Sequence, residues 1–246
     1  AGKPRFSREM TAARLNETCI LQITPMAANN IFIYGDKEIE YLKTRDKRLA
    51  EVIDKVGKVE REVIPDLFAA LVNSIIGQQI STRAHRTIWK RMLDELGEIT
   101  PVRIDGMNVE SLQKFGITFK KAEYLKKAAQ KVIHGELDIE ALGNMSDEEV
   151  CARLVQIDGV GIWTAEMLML FSMQRQNVLS YGDLAILRGM RMVYHHRKIT
   201  RDMFARYKRR LSPYASVASL YFWAVAGGAV AGMRDYAPKT KTGKAK

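Results

Sequence analysis

The chain has 246 residues, 47% of them hydrophobic, enough to bury one large core or two smaller ones, which excludes disorder over most of its length. Lys and Arg number 39 against 28 Asp and Glu, and the net charge of +11 favours polyanions, membrane surfaces or acidic proteins as partners. Cys19 and Cys151 are too few for an iron–sulfur cluster or a cysteine-based zinc site and fit a reducing, intracellular compartment, while the adjacent His195 and His196 lack the i, i+4 spacing of a helical metal site.

Residues 1–33 read as an N-terminal extension, polar and charged at its start and without the apolar core of a secretory signal. A helix is expected from Asp36 to about Val56, with Ile39, Leu42, Leu49, Val52, Ile53 and Val56 on its buried side. The next opens at Pro65 and Asp66, repeats apolar residues at Phe68, Leu71, Val72, Ile75 and Ile76, and breaks at Gly77. Helices from Ser81 to Leu96, Asn108 to Phe115 and Thr118 to His134 each stop before a glycine, as a left-handed cap requires. Ser146 and Glu149 have capping-box spacing and open a helix ending near Ile157; another starts just after Gly161. Asp183, Thr200, and Ser212 with Pro213 cap three more. The uncharged run Ser212 to Met233 approaches membrane-spanning length, but its serines, Pro213 and the Gly227–Gly228 pair favour a buried helix that ends at the glycines. Residues 239–246 form a basic tail. The pattern is all-α.

The stretch from Leu154 to Gly189 reads LVQIDGVGIWTAEMLMLFSMQRQNVLSYGDLAILRG. Gly159 and Gly161 sit one residue apart between two amphipathic helices, so the turn can adopt positive φ and bring its backbone close to a ligand. The helix that follows presents free N–H groups suited to a DNA phosphate. Alone, Gly-x-Gly fits a purely structural helix turn equally well. Here Thr164 and Ala165 add small residues that let the hairpin helices pack closely, and Asp183 follows Gly161 by 22 positions at the start of another helix.

Together GVGIWTAE and VLSYGDLAILRG resemble the helix-hairpin-helix plus Gly/Pro-rich loop and Asp pattern of the DNA glycosylase superfamily. PDLFAALVNSIIGQQIS upstream and SPYASVASLYFW downstream extend the resemblance, which is nearest to the alkylation-repair 3-methyladenine glycosylases of type II. It implies two helical subdomains flanking a DNA-binding cleft: 34–64 with 175–238, carrying the aspartate, and 65–174, carrying the hairpin.

The resemblance makes Asp183 the catalytic carboxylate, stabilising positive charge on the sugar and orienting water; its simpler role is an N-cap. The two are compatible, since a helix start favours negative charge. Trp163 stands where lyase-type members carry a nucleophilic lysine, so no Schiff base can form there. Trp223 matches the family's pocket tryptophan, with an ordinary core aromatic as the alternative, and Trp163 and Met167 complete the expected base pocket, Met167 replacing a relative's tyrosine. Gln79 and Ile80 resemble the wedge that fills the hole left by a flipped base; a polar loop with Ile80 returning to the core fits as well.

The resemblance also implies that Gly159, Val160, Gly161 and Thr164 form the DNA-binding hairpin and that, as in the family, the backbone carbonyls of Val155, Ile157 and Val160 hold a monovalent cation, Na+ or K+, with no cofactor required. Asp158 places an unexpected negative charge beside the phosphate site: it points away or it weakens the hairpin. Lys120–Lys121, Lys126–Lys127 and Lys208–Arg210 read as solvated helix faces, some of which add salt-dependent attraction to phosphates.

The expectation is a monomeric, monofunctional glycosylase that flips and hydrolyses alkylated purines from damaged double-stranded DNA, without a membrane association. Two other readings compete. A glycosylase for deaminated or mismatched bases carries the same motifs, and a non-catalytic DNA-structure binder would use the hairpin but has no need of Asp183.

Overall fold

A computed structural model describes residues 30–238 of the protein; residues 1–29 of the expected N-terminal extension and the tail 239–246 lie outside the described residues. Among the described residues the chain forms twelve α-helices, a 3-10 turn at Ala141–Asn144 and no β-strand. No helix among them is long and apolar enough to cross a membrane.

The helices divide into two compact units. The first, Glu62–Met173, holds α3 (Leu67–Gly77), α4 (Thr82–Leu96), α5 (Pro101–Asp105), α6 (Val109–Gln113), α7 (Phe119–Ile133), α8 (Asp147–Leu154) and α9 (Ile162–Phe171). The second, Ile31–Arg61 with residues 174–238, holds α1 (Asp36–Arg45), α2 (Lys47–Val56), α10 (Leu184–Tyr194), α11 (Arg201–Leu211) and α12 (Ala215–Ala226).

In the first unit α3 is apolar on nearly every face, as a central helix must be, and packs against α4, α7 and α9. Helices α8 and α9 form the two arms of the hairpin. The hydroxyls of Ser81, Thr118 and Ser146 each accept from the backbone N–H three residues on, so the starts of α4, α7 and α8 lie where the sequence puts them. Gly97, Gly116 and Gly135 all take positive φ at the ends of the segments they close. Two points differ. Helix α5, too short for periodicity to reveal, is set by the Thr100 cap and Pro101 in its first turn. The left-handed residue after α3 is Gln79, at φ 56°, whereas Gly77 stays in the helix; a Cβ on Gly77 would meet the His85 ring at 3.2 Å.

In the second unit the expected single helix from Asp36 to Val56 is two. Asp46 leaves the helical conformation and caps α2 through Leu49 N–H, while its other carboxylate oxygen accepts from Tyr194 Oη and Arg210. A polar side chain with one local and two tertiary donors therefore breaks a pattern that hydrophobic spacing alone would continue. Neither Ser212 nor Pro213 caps α12, which starts at Ala215 after Tyr214 with no side-chain cap. Its serines are used inside instead: Ser216 Oγ donates to Arg175 O and accepts from Val178 N, and Ser219 Oγ donates to Val178 O, fastening the segment that leads to Asp183. Helices α10 and α12 approach so closely that a Cβ on Gly189 would overlap the Phe222 carbonyl oxygen and lie 2.7 Å from its carbon.

Candidate active site and nucleic-acid interface

Asp183 ends the 175–183 segment in an extended conformation and opens α10. Its side chain is only 3% exposed. Oδ1 accepts from Ala185 N at 2.9 Å, Ile186 N at 2.8 Å and Trp223 Nε1 at 3.2 Å. Two orphan donors of the helix start and one indole N–H thus fix a buried carboxylate at the positive end of a helix. Trp223 comes from α12, held against α10 by the glycine contact above, and is itself largely buried. The Arg61 guanidinium lies 5.9 Å from the centre of its ring. The fold therefore brings Asp183 and Trp223 together in one unit.

The hairpin belongs to the other unit. After α8 the chain turns at Ile157, whose carbonyl accepts from Val160 N at 3.0 Å, and α9 starts from Gly161. Gly159 is the residue that needs its freedom: φ is +85°, and a Cβ there would reach the Tyr124 ring of α7 at 2.5 Å. Gly161, against expectation, has an extended backbone (φ −91°, ψ 174°) and open space where a Cβ would stand. Its lack of a side chain leaves the N–H groups at the start of α9 approachable, beside an Ile162 that is 66% exposed. Thr164 is buried and Trp163 is 42% exposed.

Asp158 does not face the hairpin unbalanced. Its carboxylate accepts from Lys127 Nζ of α7 at 2.8 Å, a hydrogen bond that holds the Asp158 carboxyl below, and the Lys127 ammonium above, their ordinary values. Other lysines of the charged runs are also engaged. Lys126 donates to the carbonyls of Asp105 and Met107, and Lys121 to those of Ile76 and Gln78. These helix-end carbonyls take the place of solvent at Lys121 and Lys126, while Lys120, Lys127, Arg209 and Arg210 stay exposed as expected.

A small cavity of about 30 Å³ opens in the first unit between α3 and α9, with Met167, Phe171, Ala70, Asn73 and Ser74 among its walls. Asn73 is 2% exposed and its side-chain nitrogen is buried without a hydrogen-bond partner. Where α3 hands over to α4, Gln79 is exposed and Ile80 half-buried.

Comparison with known proteins places this geometry. Residues 72–213 match the HhH-GPD superfamily base excision DNA repair protein family. The chain belongs to the HhH-GPD superfamily. The match spans α3 to α11 and so includes both the hairpin and Asp183. A solved DNA-3-methyladenine glycosidase from Bacillus halodurans is 32% identical, with a TM-score of 0.74 over 81% of this chain and 94% of that one. A Schizosaccharomyces pombe 3-methyladenine DNA glycosylase, solved in complex with abasic DNA, is 28% identical with a TM-score of 0.68 over 77% and 96% of the two chains. A curated S. pombe protein named DNA-3-methyladenine glycosylase 1 is 29% identical over 182 residues, 72% of this chain and 80% of its own.

Within this HhH-GPD chain, sequence reasoning missed four contributors to the candidate site. Asn73 and Arg61 carry no local motif or spacing that marks them. Lys121 was hidden in a lysine run. Gln78 carried no signal, because its partner, Gly159 O at 2.8 Å, is 81 residues away.

Proposed function

We propose that this member of the HhH-GPD superfamily is a monofunctional DNA glycosylase that flips alkylated purines of the 3-methyladenine type out of duplex DNA and releases them by hydrolysis. The observation that carries the reading is Asp183. Cleavage of the N-glycosidic bond builds positive charge at the sugar, and a buried carboxylate immobilised by three donors meets that charge without reorganising. Water, oriented by the same carboxylate, completes the reaction as the base leaves with the bonding electron pair.

Trp163 supports hydrolysis over lyase chemistry, because an indole at the hairpin position of the lysine cannot form an imine. Trp223 supplies an aromatic ring suited to a cationic alkylpurine, and Met167, in the first unit, is a polarizable thioether on a cavity wall. The hairpin N–H groups at Gly161 and beyond suit a phosphate of damaged double-stranded DNA, as the abasic-DNA complex of the S. pombe relative makes natural. The carbonyls of Val155, Ile157 and Val160 are the groups that would hold a monovalent cation there; Ile157 O, which already accepts from Val160 N, keeps a second lone pair. Such an ion would add positive charge at the phosphate.

Methylated duplex DNA incubated with the protein should release free 3-methyladenine. Asp183→Asn keeps an acceptor for the helix start but removes the charge, so release should stop while duplex binding persists. Full release by that variant would sink the mechanism. Duplexes with single deaminated or mismatched bases test the competing substrate range, and borohydride trapping of a covalent adduct would contradict the monofunctional assignment.

A further inference from the structure

We infer that Gln78 and Lys121 are positioning residues that hold Gln79 preformed for insertion into the duplex and lock it to the phosphate-gripping hairpin. The inference rests on the glycosylase reading above. Gln79 is exposed, not a glycine, and at φ 56°. A residue with a Cβ holds this left-handed conformation only where its surroundings over-determine it, and such residues gather at functional sites. Three hydrogen bonds supply the over-determination here. Lys121 Nζ, from α7, donates to Ile76 O at 2.9 Å and Gln78 O at 2.6 Å, binding the end of α3 on the side from which Gln79 departs. Gln78 Nε2 donates to Gly159 O at 2.8 Å, in the turn of the hairpin. Tyr124, one helical turn beyond Lys121 on α7, packs on the same Gly159.

The consequence is geometric. The hairpin turn and the α3–α4 junction are separated by 81 residues, yet they are joined directly through Gln78 and indirectly through α7. A phosphate bound at the start of α9 therefore fixes where Gln79 stands relative to the DNA, and the side chain needs no search to enter the space vacated by the base. Burial lowers the Lys121 ammonium below its ordinary value. Without these bonds the junction would relax to negative φ, and insertion would have to be accomplished against the chain's own preference.

The test uses the whole protein and three variants: Gln78→Met, Lys121→Met and Lys121→Arg. A duplex carrying 2-aminopurine beside a stable abasic analogue reports insertion by fluorescence, and single-turnover release from methylated DNA reports the reaction. Gln78→Met and Lys121→Met should slow release about ten- to a hundredfold, as misplacement of a positioned group does, a loss larger than any change in affinity for undamaged duplex. The fluorescence change should fall in parallel, and Lys121→Arg, which still donates to carbonyls, should restore both. Thermal melting guards against simple unfolding; Gln78→Met is the milder change if Lys121→Met melts early. Wild-type insertion and release by Gln78→Met would overturn the inference alone. A wild-type protein that releases no base from any lesion would overturn the proposed function, and the inference with it.

Discussion

Replacing Gly189 by alanine sets two effects of opposite sign against each other. By helix propensity the change should stabilise α10 by about 1 kcal/mol, since glycine in a helix interior is that much worse than alanine. Against this, the new Cβ would overlap the Phe222 carbonyl oxygen and lie 2.7 and 2.9 Å from its carbonyl carbon and Cα. Carbon atoms settle at about 3.5–4.0 Å, so α10 and α12 must separate by about 1 Å. Overpacking of this kind costs about 1–3 kcal/mol, and here the obstacle is backbone, which cannot rotate away. The same displacement stretches the 3.2 Å bond from Trp223 to Asp183 past hydrogen-bonding range, forfeiting about 1 kcal/mol more. The clash wins by about 2 kcal/mol, or about 4–8 °C in melting temperature for a chain of this size. Calorimetric melting of Gly189→Ala measures the stability, and single-turnover base release at a temperature where both proteins are folded measures the site. A melting temperature equal to or above that of the wild type would refute the reasoning.

Asp46→Ala should cost about 2–4 kcal/mol in urea unfolding, because it strips the cap from α2 and leaves buried Tyr194 Oη without its acceptor; a loss under about 1 kcal/mol would show that water replaces the carboxylate. Asp158→Asn frees the Lys127 ammonium beside the hairpin, so duplex affinity by anisotropy should rise at low salt, with the salt slope steeper by about one counterion. An unchanged slope would put Asp158 outside the DNA footprint. His85 is held below its ordinary value of 6.5, chiefly by burial and against a hydrogen bond from its ring to Asn73 O, so the native state favours the neutral ring. Its contribution to stability is complete above the unfolded value and declines as pH falls toward the folded one. Urea midpoints should therefore drop between pH 7.5 and 5, and His85→Gln should flatten that drop; an equal drop in the variant would place its origin elsewhere.

What the sequence disclosed and what it withheld follow a physical divide. The starts of α4, α7, α8 and α10 were legible because a cap is a local bargain between one side chain and an N–H three residues on. Gly159 was legible for the same reason: a turn announces its own conformational need. Asp46 was not, because the donors that pull it out of the helix, Tyr194 and Arg210, lie 148 and 164 residues away. Gly189 offered no local signal, because its reason, the Phe222 carbonyl, lies across the fold. Lys121 and Gln78 offered nothing to pattern reading, since what distinguishes them from neighbouring lysines and glutamines is the carbonyl each finds across the fold. Asp183 stands between the classes: its cap is local, whereas its contact with Trp223 is not.

That last contact ties together two properties usually discussed apart. If the indole face selects the base while its N–H steadies the carboxylate, then preference for one lesion and competence to cut any lesion cannot drift independently at position 223. Truncating Trp223 to alanine would lose both at once and report neither. Phenylalanine keeps an aromatic face, though a smaller one, and gives up the donor, so the difference between the two variants reports the face apart from the tether.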